Sequence, residues 1–225
     1  CSPQDVANAL WGLARLGFRL AEEDAPALTR VLRAVLPRAK VEELSAVAWA
    51  LGRMAACNEA RALPGPTAEV HKALAAMGSG LSSQGCAVCL WSISRAQPPP
   101  PSGVVAVLIE RATDEAPRLT PQGLSMVCGA CARLSVGSAP MLAIVKAWEA
   151  DAPERAASRL GAADVAEVLW ALGKAWLDAP SAHEPSRHWG AVSPLIRILW
   201  QRAAAVADAF DWKAAGLVEF AVRAL

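Results

Sequence analysis

Apolar and polar positions along this chain alternate with a helical period, and the pattern itself recurs. The word Ala7-Asn8-Ala9-Leu10-Trp11-Gly12-Leu13-Ala14-Arg15-Leu16-Gly17 places apolar residues three and four apart, and versions of it return down the sequence. Centred on their bulky residue, the copies fall at Trp11, Trp49, Trp91, Gly129, Trp170 and Phe220, separated by 38, 42, 38, 41 and 50 residues. The Gly129 copy is placed by its flanks: Thr120-Pro121-Gln122 mirrors Ser2-Pro3-Gln4, and Ala132-Arg133-Leu134 mirrors Ala14-Arg15-Leu16.

Each copy predicts a first helix, and a second amphipathic stretch follows it. Ser2 can cap the first of these helices, Pro3 fits its first turn, and Gly17 stops it. Glu22 to Leu36 predicts its partner, and Pro37 closes the unit. The same alternation assigns helices to Val41–Ala56 and Thr67–Met77, with a break at Leu63-Pro64-Gly65-Pro66. It continues with Ser82–Arg95 and Gly103–Thr113, joined by the stiff Pro98-Pro99-Pro100-Pro101 run, then Thr120–Leu134 and Pro140–Ala150. Ala162–Trp176, Val192–Ala209 and Trp212–Leu225 complete the set. The extra length lies between helices, at the proline run, at Ala150–Leu160 and in the polar Asp178–His188 loop, where it costs little.

This pattern predicts an all-α fold, an α-solenoid of about five to six stacked antiparallel helix pairs with a period near 38–42 residues. It reads as one helical-repeat domain over residues 1–225, with repeats at approximately 2–39, 40–80, 81–118, 119–160, 161–209 and a partial 210–225.

Counting from the central residue as zero, the columns at −5 (Val6, Leu44, Cys86, Leu124, Val165, Ala215), −2 and +2 are apolar, and with the tryptophan column they are expected to form the buried stripe. Columns +1 and +3 are mostly Gly, Ala or Ser, small enough to let neighbouring helices approach closely. Column +4 holds Arg15, Arg53, Arg95, Arg133 and Lys174, failing only at Ala224. One cation per stacked repeat makes a ladder able to track a phosphate backbone. The same column also suits the last turn of a helix, where a cation complements the dipole. Column −7 holds Gln4, Glu42, Gln84, Gln122, Ala163 and Lys213, and column −3 holds Asn8, Ala46, Val88, Met126, Glu167 and Leu217. Variable positions on one face are where helical-repeat RNA binders read bases. Many of these are apolar, which favours packing against another protein.

Composition narrows the picture. Over half of the 225 residues are hydrophobic, enough for a large core, and a formal charge of +1 leaves only a local patch for nucleic acid. Abundant alanine, nine Trp and no Tyr suit packed helices, so no sheet is expected. The longest uncharged run, Ala73–Ser94, has a Gly/Ser-rich loop at its centre and is not a membrane span. The chain opens on Cys1-Ser2-Pro3 without a basic-then-apolar signal; a transit peptide could precede this stretch and is not visible in it.

Cys86 and Cys89, and Cys128 and Cys131, have the spacing of half zinc sites, but fall within first helices in columns that other copies fill with Val and Leu, so core packing is expected. His71, His183 and His188 are scattered, no nucleophile is paired with a His, and no strand precedes a Gly-rich loop. The Glu22–Asp24 and Asp151–Arg155 charges read as solvated. No metal, no cofactor and no enzymatic activity are expected.

Words such as ALWGLARLG and VLWALGKA, alternating with a second amphipathic helix at about 38 residues, resemble the octotricopeptide and heptatricopeptide repeat families of organellar proteins. The resemblance spans essentially the whole chain. It implies RNA binding in mitochondria or, alternatively, plastids, within a ribosome or RNA-processing complex. The RNA would be ribosomal or an organellar transcript, and the neighbours would be proteins of a ribonucleoprotein. The expected contacts are Arg15, Arg53, Arg95, Arg133, Lys174, Gln4, Gln84 and Gln122. The alternative is a protein-interaction scaffold in a large organellar assembly with little direct RNA contact. The chain departs from those families in its near-neutral charge, Gly129, the stretched fifth repeat and the lack of a visible nuclease-like domain.

Overall fold

The computed structural model describes residues 1–57, 63–149, 157–178 and 193–225. The Asp151–Arg155 charges, most of the Ala150–Leu160 and Asp178–His188 stretches, and with the latter His183 and His188, lie outside these residues. Among the described residues the protein is all-helical, without strands. The helices are α1 (Pro3–Arg15), α2 (Ala25–Val35), α3 (Val41–Cys57), α4 (Pro64–Met77), α5 (Ser83–Ile93) and α6 (Ser102–Asp114), then α7 (Pro121–Arg133), α8 (Ser138–Glu149), α9 (Ala162–Leu177), α10 (Ser193–Ala205) and α11 (Trp212–Ala224). The residues gather into two compact units, Cys1–Ala112 and Thr113–Leu225.

In the first unit α1 packs on α3 and α3 on α5, while α2 packs on α4. In the second, α7 packs on α9 and α9 on α11, with α8 and α10 also against α9. Helices built on the repeated word thus pack on one another in both units.

The local joints recur as well. Ser2, Ser82, Thr120 and Asp211, all at column −9, cap their helices by accepting the backbone N–H three residues on. Ahead of the cap, the −10 residue donates its N–H to the carbonyl three back in a tight 3-10 turn: Ala39 to Leu36, Leu81 to Gly78, Leu119 to Ala116 and Phe210 to Ala207, at 3.1–3.2 Å. The −10 carbonyl accepts in turn from the following second helix. Arg111 Nε donates to Leu81 at 2.6 Å, Trp148 Nε1 to Leu119 at 2.9 Å and Arg202 Nε to Leu160 at 2.8 Å. Different side chains therefore close the same joint.

Small residues do allow close approach. A Cβ on Gly52 (+3) would stand 2.7 Å from Ser92 Cα (+1) of α5, and one on Gly173 (+3) would stand 3.4 Å from Ala221 Cα (+1) of α11. The same two columns meet in both units.

Two expectations change. The Leu63-Pro64-Gly65-Pro66 stretch is not only a break: α4 begins at Pro64, because proline fits a first helical turn whose N–H groups need no partner. The second correction concerns the tryptophan column, which is not part of the buried stripe. Trp11 is 45% exposed, and Trp49, Trp91, Trp170 and Phe220 are half-buried. At about 100° per residue, columns −5, −2 and +2 point to the side of the helix opposite the zero column, whereas −7, −3 and +4 fall within about 60° of it. Each inner first helix is buried on most of its circumference, with Leu44, Val47, Ala48 and Leu51 in α3 as the pattern. The tryptophans share the remaining outward strip with the basic column.

Candidate functional site

The outward strips of the first unit form a grid. Along α1 it runs Gln4, Asn8, Trp11, Arg15; along α3 it runs Glu42, Ala46, Trp49, Arg53; along α5 it runs Gln84, Val88, Trp91 and continues to Arg95 in the turn that follows, the helix ending at Ile93 rather than at Arg95. Successive helices pack side by side, so the tryptophans form one row and the arginines the next. The Trp11 and Trp49 ring centroids are 6.2 Å apart, tilted by 36°. The Arg15 guanidinium lies 5.0 Å from the Trp11 ring, and that of Arg95 lies 4.4 Å from Trp91. A four-residue offset on one helix puts a cation over the ring one turn before it, a pairing that contributes about 0.5–1 kcal/mol at exposed sites. Arg53 is exposed, as are Gln4 and Gln84, and the Gln4 amide donates to Asn8 Oδ1 at 2.9 Å.

Beside the tryptophan row, an open groove of about 370 Å³ crosses α1, α3 and α5. Trp11, Trp49, Ala46, Val88, Val41 and Leu81 supply apolar wall; Glu42, Ser45, Ser82 and Gln84 supply polar groups. Among the described residues Glu42 is the one ionisable group on that wall.

The second unit writes the same columns differently. Arg133 donates to Glu167 Oε1 at 2.6 Å and lies 4.9 Å from the Trp170 ring, both on the next helix of the word. No indole stands at Gly129, and its space is taken: a Cβ there would collide with the Glu167 carboxylate and lie 2.7 Å from the Arg133 guanidinium. Lys174 pairs with Asp178 at 2.7 Å. Gln122 is exposed, and its backbone carbonyl accepts from Ser125 Oγ. Arg133 and Lys174 are thus each engaged by a carboxylate. Sequence reasoning paired neither, because each partner lies outside the repeated columns then compared or in the next copy.

The cysteine pairs sit where core packing puts them. Cys86, Cys89, Cys128 and Cys131 are buried; Cys86 Sγ donates to the Leu108 carbonyl at 3.1 Å. Burial pushes the Cys89 and Cys131 thiols up to about 12, and pushes Cys128 well up, helped by nearby Cys131 and Glu167. Such thiols stay protonated at neutral pH and behave as small hydrophobes. Among the described residues no three His, Cys, Asp or Glu converge on a metal-sized site, and no helix is long and apolar enough to cross a membrane.

The outward-facing, partly buried tryptophan row was the missed feature. Its signal was present: the zero column lies three and four residues from the −3 and +4 columns already read as one face. No family model matches the chain, and no curated protein matches it.

Proposed function

We propose that this chain is an α-solenoid of five to six helix pairs that binds single-stranded RNA without catalysing a reaction. The observation that carries this reading is the row of tryptophans, Trp11 exposed and Trp49 and Trp91 half-buried, lying against the row of arginines on the first unit's outward strip. Aromatic faces stack bases of any identity, and guanidinium groups one turn away take the phosphates. Arg15 and Arg53, both exposed, are the principal cations, with Arg95 beside Trp91 and with Gln4 and Gln84 at the far edge of the strip. Arg133, Lys174 and Gln122 of the second unit have a smaller part, the two cations being already paired. The resemblance to octotricopeptide and heptatricopeptide repeats supports a place in a mitochondrial, or else plastid, ribosome or RNA-processing complex, among its RNA and proteins.

The test is salt-titrated binding to a short unstructured RNA. Replacing Arg15 and Arg53 together with Ala should weaken binding and lower the slope of log K against log salt by about 1.4, at about 0.7 per phosphate contact. Trp49→Ala should weaken binding about five- to a hundredfold with little change in slope. An unchanged affinity and slope in the arginine variant overturns the RNA reading. Apolar Ala46 and Val88 within the strip favour the second reading, a scaffold for protein partners, and the same substitutions would then weaken a protein complex instead.

A further inference from the structure

We infer that the groove beside Trp11 and Trp49 is a subsite for one guanine base of a bound RNA strand, resting on the RNA-binding reading above. Three features of the groove select this occupant. Its volume of about 370 Å³ admits a base, and its apolar side is aromatic. The Trp11 and Trp49 rings already contact one another at 6.2 Å, so a base stacks on the indole face turned to the groove rather than between the rings.

The second feature is Glu42, the one ionisable group among the described residues of the wall. A carboxylate offers only acceptors, and it satisfies both oxygens best against two adjacent donors. The Watson–Crick edge of guanine presents such a pair, N1–H and the 2-amino group, next to the O6 acceptor. Uracil presents one donor between two acceptors. The Gln84 amide, on the same wall, can donate to O6 while Glu42 takes the donor pair.

The third feature is the charge around the groove. A Trp wall with a carboxylate also suits a free cation, such as an arginine side chain of a protein partner. Arg15 already occupies that role, 5.0 Å from the Trp11 ring, and Arg53 lies one turn beyond Trp49. Two cations beside the groove repel a cationic ligand and attract one whose base is followed by phosphate.

The experiment measures binding of the full chain to an eight-nucleotide oligouridine and to the same oligomer with one central guanosine, by tryptophan fluorescence and calorimetry. The guanosine oligomer should bind about tenfold more tightly, the scale of one bidentate base contact. Glu42→Gln, an exposed isosteric change, should abolish that preference and leave oligouridine binding equal or slightly stronger. Circular dichroism checks that the variant is folded, and Gln84→Ala should reduce the preference part way. Equal affinity for the two oligomers overturns the guanine subsite while leaving the RNA reading intact; so does a preference that survives Glu42→Gln. If neither oligomer binds but an arginine-rich peptide does, both readings fall and the groove belongs to a protein partner.

Discussion

His71 in α4 is the residue with the plainest solution signature. It is 5% exposed, and burial alone holds its imidazole below the ordinary histidine pKa, so the fold prefers it neutral. Above about pH 6.5 the folded and unfolded chains are both neutral there, and its contribution to stability is complete. As pH falls through that value the unfolded chain takes up a proton that the folded chain refuses. Stability then falls by at most about 1.4 kcal/mol per pH unit until the lowered native pKa is reached. Urea unfolding at pH 7 and pH 5 should show a larger loss in the natural chain than in His71→Gln, and equal losses would contradict this account. Other residues changed meaning only in three dimensions. The nine tryptophans look alike in sequence, yet Trp11 and Trp49 edge a groove while Trp148 is buried with its indole N–H on the Leu119 carbonyl.

Between elements, the contact columns decide what each helix tolerates. Gly52 faces the Ser92 backbone across the α3–α5 contact, so Gly52→Ala should destabilise by about 1–3 kcal/mol through overpacking. Gly12, also inside a repeated word, has nothing within 4 Å of a Cβ, and Gly12→Ala should stabilise α1 by about 0.5–1 kcal/mol. Thermal unfolding of the two variants checks the opposite signs. The helices and the small-residue columns were legible in sequence because periodicity and residue size are one-dimensional properties. The direction of the tryptophan strip was legible too, but required comparing angles between columns instead of asking only whether each column is apolar. The 3-10 joints were not legible, because a backbone carbonyl is satisfied by Arg111, by Trp148 or by Arg202, three side chains of different types. The pairing of Arg133 with Glu167 was equally hidden, since it joins two copies rather than repeating in each.

For the molecule as a whole, the same scaffold carries faces of different character. Column −1 is buried at Leu10, Ala48, Leu90, Cys128 and Leu169, but on α11 it holds exposed Glu219, whose carboxylate pairs at 2.5 Å with Arg223 of column +3. The same side of α11 carries Trp212, 88% exposed, so the ion pair sets charge beside apolar surface there. Replacing Glu219 with Leu and Arg223 with Ala should make the protein self-associate with rising concentration in sedimentation velocity, and an unchanged sedimentation coefficient would count against it. The two units likewise divide the basic column: on the proposed RNA-binding reading Arg53→Ala should weaken RNA affinity, whereas Arg133→Ala should mainly lower the melting temperature by removing a half-buried pair. Gly129 makes the division visible at one position. A side chain there would meet the far ends of Glu167 and Arg133, both flexible, so adding bulk at 129 means displacing that ion pair rather than cutting into rigid packing. The position therefore holds either a ring or the Arg133–Glu167 pair, and this chain holds the pair.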